Sequence, residues 1–393
     1  MKQASSNTGV VRFARIAIAC AAFAALVACG GGSDNNNNNA STGPAGGVKL
    51  QVVSFGDSLS DVGTYSPVIT SSFGGGRFTT NPGEVWTQKI AEYYGDTLTP
   101  AYLGGFGQPL KANGGFGYAQ GGAEVNTGAA PNYQAATTWP VSQQVQQYLT
   151  DHGNFNSNQL VLINGGANDI IQNLTKMLGL VAQGIAANPS LAPQVVQSVA
   201  FNTVGPAAQA LVAQIGTIVA KGATHVVVMD VPDIGKTPLA AQLVAQTGSA
   251  QAPSIVSGIV ATYNGAVQQM LAAAGLSGKV IYISTSEWLT PLLANPATQG
   301  FSNTTGTACA INLMAQNATA YATANPAVLT NGMTAAQYGQ QFASSLFCAP
   351  NTLVAPGADQ SYVFADQLHP TTHAHAAFAT FVEGKIAATG LGK

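Results

Sequence analysis

The stretch Phe55-Gly56-Asp57-Ser58-Leu59-Ser60-Asp61-Val62-Gly63 follows the first Val-rich run of the chain and puts a serine where a strand ends. A hydroxyl at a strand's carboxyl end, opening a turn toward a helix, is placed to act as a nucleophile. Its amide would sit near a helix amino terminus, where partial positive charge favours an oxyanion. Ser and Asp are also preferred helix N-caps, so this segment alone carries little weight. Near the other end stands Asp366-Gln367-Leu368-His369-Pro370. Pro370 suits a first helical position, which leaves Asp366 and His369 on the preceding loop. That separation lets a carboxylate hold one imidazole nitrogen while the other faces a serine, the orienter and base of a triad.

Two middle segments add hydrogen-bond donors. Leu162-Ile163-Asn164-Gly165-Gly166-Ala167-Asn168-Asp169 follows a strand and opens a helix, so Asn168 is either an N-cap or a side-chain donor to a developing oxyanion. The glycine-rich stretch Gly114 to Ala123 offers exposed backbone amides or simply a tight turn. His369, His373 and His375 admit a rival reading as a metal cluster, since His373 sits one helical turn beyond His369. With no further acidic or cysteine ligand nearby, that reading is set aside, and neither metal nor organic cofactor is expected. The chain has no G-x-S-x-G, H-E-x-x-H or C-x-x-C. Gly235-Lys236-Thr237 imitates the end of a phosphate loop, but Asp230 stands where the leading glycine belongs.

These residues need a scaffold, and the hydrophobic pattern supplies one. Leu50 to Phe55, Leu160 to Ile163, His225 to Met229 and Lys279 to Ile283 read as buried strands. Helical stretches follow at Glu84 to Tyr94, Val141 to Leu149, Asp169 to Ala186, Val204 to Ala220, Ser254 to Ala274 and Thr371 to Ala388. Strand–helix alternation predicts an α/β fold, a three-layer α/β/α sandwich with a central, mainly parallel sheet and its site at the carboxyl ends of the strands. Residues 64–82 and 100–139 break the rhythm and read as long irregular loops that serve binding. Their aromatics Phe73, Phe78, Tyr102, Phe106, Phe116, Tyr133 and Trp139 are candidates for an apolar pocket. A further insertion occupies about 295–360, and residues 48–393 are expected to form one domain, as a monomer.

Charged residues make up only 7% of the 393, far below the roughly 25% of an ordinary soluble protein. Thirteen Lys/Arg against fifteen Asp/Glu leave no basic stripe for a phosphate backbone, which argues against nucleic-acid binding. No apolar run after residue 30 reads as a membrane span. The amino terminus reads as an address: Lys2, Arg12 and Arg15 precede an apolar stretch, Ile16 to Ala28, of signal-peptide length. It ends Leu26-Val27-Ala28-Cys29, which resembles the lipobox of bacterial lipoproteins, in which the cysteine is acylated and becomes the first mature residue. Residues 1–28 are then a signal peptide and 29–47 a lipid-anchored flexible tether rich in Gly and Asn. Removing 1–28 takes away three positive charges and leaves 10 − 15 = −5. Gly30 after the cysteine, in place of aspartate, favours outer-membrane anchoring in the cell envelope; the alternative is an ordinary signal and a secreted protein. Cys309 and Cys348 remain, and in an exported protein a disulfide between them is the default.

Taken together, Ser58, Gly121-Gly122, Gly166-x-Asn168-Asp169 and Asp366-x-x-His369-Pro370 resemble, in this order, the signature blocks of the GDSL or SGNH serine hydrolases. The blocks span 55–370. The resemblance implies Ser58 as nucleophile, His369 as base and Asp366 as its orienter. It implies an oxyanion hole of the Ser58 and Gly122 amides and the Asn168 side chain. The second block departs from the family's pattern at Gly117, where an asparagine is usual. The implied activity is that of an exported esterase or lipase acting on carboxylic esters through an acyl-enzyme. A carbohydrate O-acetyl esterase is the runner-up, and a non-catalytic surface binding module on the same fold is the rival from another class.

Overall fold

The computed structural model describes residues 43–106, 108–126, 138–329, 332–341 and 343–393. The expected signal peptide, Cys29, most of the tether and Tyr133 lie outside the described residues. The described strands are β1 Gln51–Phe55, β2 Tyr102–Gly105, β3 Gln108–Ala112, β4 Gln159–Ile163, β5 His225–Met229, β6 Ile281–Ile283, β7 Asn303–Thr307 and β8 Tyr362–Phe364. The described helices begin with α1 Ser66–Phe73, α2 Trp86–Tyr93, α3 Val141–His152, α4 Ala167–Ala187, α5 Ala192–Ala220 and α6 Pro238–Thr247. They continue with α7 Ala252–Ala273, α8 Thr285–Ala294, α9 Ile311–Ala324, α10 Ala335–Gln341, α11 Ala358–Ser361 and α12 Thr372–Ala387.

β1, β4, β5 and β6 pair in that order, all parallel, with Val53 opposite Val161, Leu162 opposite Val227 and Met229 opposite Ile283. Successive side chains of a strand point to opposite faces, so a strand that is apolar throughout must be covered twice. Leu50, Val52, Leu160, Leu162, Val227 and Met229 meet Trp86 and Ile90 of α2 and Phe378 and Val382 of α12. Val53, Phe55, Val161, Ile163, Val226 and Val228 meet Tyr148 of α3, Ile170 of α4, Leu211 and Ile215 of α5, and Ile259 and Tyr263 of α7. The chain is the expected three-layer sandwich.

Three expectations change. The segment Pro189–Ala220 is long and apolar enough to cross a membrane by length and composition, contrary to the reading above. Its residues Ala200, Val204, Ala208, Leu211, Ile215 and Ile218 are buried against the sheet layer, as in a core helix. The same stripe carries α5 through Pro206, so the helix starts at Ala192 and not at Val204. The irregular stretches are also better built than their composition suggests. They contain α1 and the antiparallel pair β2–β3. Tyr65, Ile69, Phe78 and Phe106 share an apolar cluster with Met314, Tyr321, Tyr338, Leu346 and Phe347 of the insertion. Cys309 and Cys348 form a disulfide inside that cluster, with Cα atoms 5.9 Å apart and neither residue exposed. A second small pair, β7 with β8, is parallel and leads from the insertion to the loop that carries Asp366 and His369.

Candidate active site

β1 delivers Ser58 through a turn that only glycine can open. Gly56 has φ 147°, and a Cβ there would lie 2.0 Å from Asn164 Oδ1. The Gln144 side chain then holds both Gly56 backbone groups, accepting from its amide and donating to its carbonyl, each at 2.9 Å. Asp57 Oδ1 accepts the Leu59 amide at 3.1 Å and the Asp57 carbonyl accepts the Ser60 amide at 3.1 Å. Ser58 therefore rides on a hydrogen-bonded turn. The expected helix start is absent here: α1 begins only at Ser66, so no helix dipole acts on the Ser58 amide.

Asp61 ties this turn to the glycine-rich segment. Its Oδ1 accepts the Gly63 and Thr64 amides at 2.9 and 2.8 Å, and its Oδ2 accepts the Gly121 amide at 2.9 Å. Burial pushes the Asp61 carboxyl above its usual range in spite of these donors, and it does the same to Asp57. Gly122, at φ 82°, turns between Gly121 and Ala123. Ala123 in turn accepts a hydrogen bond from Asn168 Nδ2 at 2.9 Å. The capping reading of Asn168 fails, because the N-cap of α4 is Gly166 at φ 107° and Asn168 already lies inside the helix. Its neighbour Asp169 accepts the Val125 amide at 3.1 Å. Burial first and the Glu124 charge second push the Asp169 carboxyl up to about 7.

The loop before α12 brings Asp366 and His369 to Ser58. His369 Nε2 is 2.8 Å from Ser58 Oγ, and His369 Nδ1 is 2.7 Å from Asp366 Oδ2. Asp366 Oδ1 accepts the Leu368 and His369 amides at 2.8 and 2.7 Å. Its Oδ2 also accepts the Ser345 amide at 2.5 Å. Burial opposes ionisation of this carboxyl, but the His369 charge and these donors overcome it and hold Asp366 down to about 2. Phe78 lies behind the imidazole, with ring centroids 5.1 Å apart. Ser345 belongs to the disulfide-bearing insertion, and nothing in the sequence pattern signals its amide. The remaining histidines diverge. His373 stacks on Phe301 at 4.4 Å, whereas His375 is 1% exposed and faces the Trp86 amide with Nδ1. Burial, aided by the His369 charge, holds His375 down to about 3. Among the described residues no group of His, Cys, Asp and Glu is arranged to hold a metal.

A cavity of about 460 Å³ has Ser58, Asn168 and His369 in its wall. The rest of the wall is partly apolar, with Leu59, Trp86, Met229, Trp288, Leu289, Phe364 and Phe378 contributing. The loop aromatics expected to form it, among the described residues, do not. Phe73 packs on Tyr321 and Phe347 at 5.9 and 5.3 Å, Tyr102 on Trp139 at 4.7 Å, and Phe116 on His152 at 4.7 Å. The aromatic lining comes instead from α2, α8, β8 and α12. A family model described as GDSL-like Lipase/Acylhydrolase matches residues 52–382. A search of curated proteins found no match.

Proposed function

The chain belongs to the GDSL-like lipase/acylhydrolase family, whose members hydrolyse esters, and from that premise we propose that it is a serine esterase or lipase acting on carboxylic esters. The observation that carries the reading is the unbroken hydrogen-bonded chain from Ser58 through His369 to Asp366. With Asp366 ionised, His369 Nδ1 donates to it, so Nε2 is left to accept the Ser58 hydroxyl proton. Ser58 Oγ attacks the ester carbonyl, and His369 takes the proton and returns it to the leaving alkoxide. Water then enters by the same route, with His369 as base, and releases the acid and Ser58. The Ser58 and Gly122 amides and the Asn168 side chain stabilise the tetrahedral oxyanion, each donor contributing about 2.7–4 kcal/mol. The bond from Asn168 to Ala123 fixes that side chain before substrate arrives, so little reorganisation opposes the reaction.

The apolar part of the cavity wall favours an aliphatic acyl group. A set of p-nitrophenyl esters of increasing chain length, assayed on wild type and Ser58→Ala, tests the reading. Turnover should rise beyond acetate and vanish in the variant. Undiminished turnover by Ser58→Ala would refute Ser58 as nucleophile, and a sharp preference for acetate would point to an O-acetyl esterase. We further propose that Cys29 is lipidated and holds the domain at the cell envelope. Fatty-acid labelling of wild type but not of Cys29→Ser is the expected result.

A further inference from the structure

The proposed oxyanion hole depends on where one N–H points, that of Gly122. The peptide that carries it joins two glycines, so little in its own covalent structure opposes rotation of the whole unit about its flanking bonds. The carbonyl of that same peptide is the Gly121 oxygen, and in a planar trans peptide the C=O and the N–H point in opposite directions. Two buried hydroxyls hold this oxygen, Tyr65 Oη at 3.0 Å and Thr138 Oγ1 at 3.0 Å. The hydroxyls are themselves 2.8 Å apart. Each has one proton, so whichever of them donates to the other, one remains directed at the carbonyl. The rest of Gly121 is equally confined. Its amide donates to Asp61 Oδ2 at 2.9 Å, and a Cβ on it would lie 2.2 Å from the Phe78 ring. The Gly122 amide, by contrast, donates to no acceptor among the described residues. The next carbonyl, that of Ala123, accepts from Asn168 Nδ2 at 2.9 Å, so the free amide stands one residue from the contact of the other proposed oxyanion donor.

We propose that Tyr65 and Thr138, seconded by Asp61, are positioning residues that act through Gly121: they lock the Gly121–Gly122 peptide with its N–H turned toward the oxyanion. The proposal rests on the reading of Ser58 as nucleophile and of the Gly122 amide as an oxyanion donor. A buried carbonyl stripped of both hydroxyls is costly, and rotation of the peptide toward another donor relieves that cost at the expense of the N–H direction. Either hydroxyl alone satisfies the carbonyl, so the two substitutions should be strongly non-additive.

The test measures hydrolysis of a p-nitrophenyl ester and inhibition by a trifluoromethyl ketone, which adds to Ser58 and carries a like oxyanion. Tyr65→Phe keeps the ring edge-on to Phe78 and Phe106, and Thr138→Val keeps the shape of its side chain. Turnover is expressed per serine titrated to completion by a phosphonate, so unfolded protein is not counted. Each single change should lower kcat by no more than about 3-fold, whereas the double variant should lose about 10²-fold, the cost of a misdirected group. KM should change little, and the ketone Ki should rise by the factor by which kcat/KM falls. Tyr65→Phe with Thr138→Ser, which restores a hydroxyl but not the methyl, should recover most of the loss. If the double variant does not fold, Asp61→Asn decides. Its side-chain oxygen keeps the Gly63 and Thr64 amides, which sets its NH2 against the Gly121 amide. Turnover and ketone affinity should then fall together by about 10-fold or more, and constancy of both would overturn the proposal. A double variant no worse than the product of the singles, or one whose ketone affinity holds while kcat falls, would overturn it as well. Wild type that neither turns over the ester nor binds the ketone would instead refute the esterase reading on which the proposal rests.

Discussion

The two halves of the candidate active site are held by different forces. Ser58 lies on the turn after β1 and Asn168 in the first turn of α4 after β4, and because both strands are apolar and buried, these positions follow from packing of the sheet. Asp366 and His369 stand on a loop held by hydrogen bonds: two from its own amides, one from Ser345, and one from the Ala365 amide to the His369 carbonyl at 2.7 Å. The first half rests on what makes the protein fold at all. The second rests on an insertion whose cluster of Tyr321, Tyr338 and Phe347 surrounds the disulfide. The Ser58 hydroxyl should therefore be removable without loss of stability, while changes to the loop-borne half should cost activity and stability together.

Ser58→Ala gives the largest effect and the cleanest contrast. It should lower kcat/KM by about 10⁴–10⁶-fold and leave the melting temperature unchanged. Asp366→Asn should cost about 10⁴-fold in kcat, and because an amide nitrogen cannot accept from both Ser345 and His369, the melting temperature should fall as well. A variant that lost activity but melted like wild type would break the comparison. Asn168→Asp should lower kcat by about 10²–10³-fold, since it puts a charge where the oxyanion develops. It also sets a carboxylate against the Ala123 carbonyl, so calorimetry should record a loss of about 1–3 kcal/mol.

Replacing Cys309 and Cys348 by serine should destabilise the domain by about 3–4 kcal/mol in the chain-entropy model. Well below the melting point, kcat should fall only in part, because Ser345 loses its anchorage but not its sequence. The smallest effect concerns pH. A carboxyl raised in the folded state stabilises the protein while protonated, so the Asp169 contribution is complete below pH ~3.8 and is lost as pH rises through about 7. Asp366, held down to about 2, works in the opposite sense: its contribution is present above pH ~3.8 and lost as pH falls through about 2. Asp169→Asn should flatten the decline in stability between pH ~4 and ~7 seen by denaturant titration. An unaltered slope would place the cause elsewhere.

The same division decides what was legible in the sequence. Val52, Val161 and Val227 announce their strands through composition, and the motif residues follow closely on the strands, so Ser58, Asn168 and the parallel sheet could be read in advance. Asp366 and His369 were legible because three residues on one loop suffice for their contact. Ser345 was not, since a backbone amide has no signature and its approach depends on how the insertion folds. The aromatics were misplaced for a related reason: an aromatic in a Gly-rich stretch shows that something is packed, not what it packs on. Phe78 and Phe106 joined the insertion's cluster, while Trp288 and Phe378, inside regular helices, line the cavity.

Ser58 and His369 meet across 311 residues of chain. Bringing them together is among the longest loop closures this fold requires, and such closures are late because their entropy is lost before their contacts form. Recovery of hydrolysis after dilution from denaturant should consequently lag the return of helical circular dichroism. On the proposed reading, a nascent chain ending short of the Asp366 loop can assemble its sheet layer and still have no base for its serine. On that reading the hydroxyl stays inert until the Asp366 loop has been made and folded, a latency that follows from chain order alone.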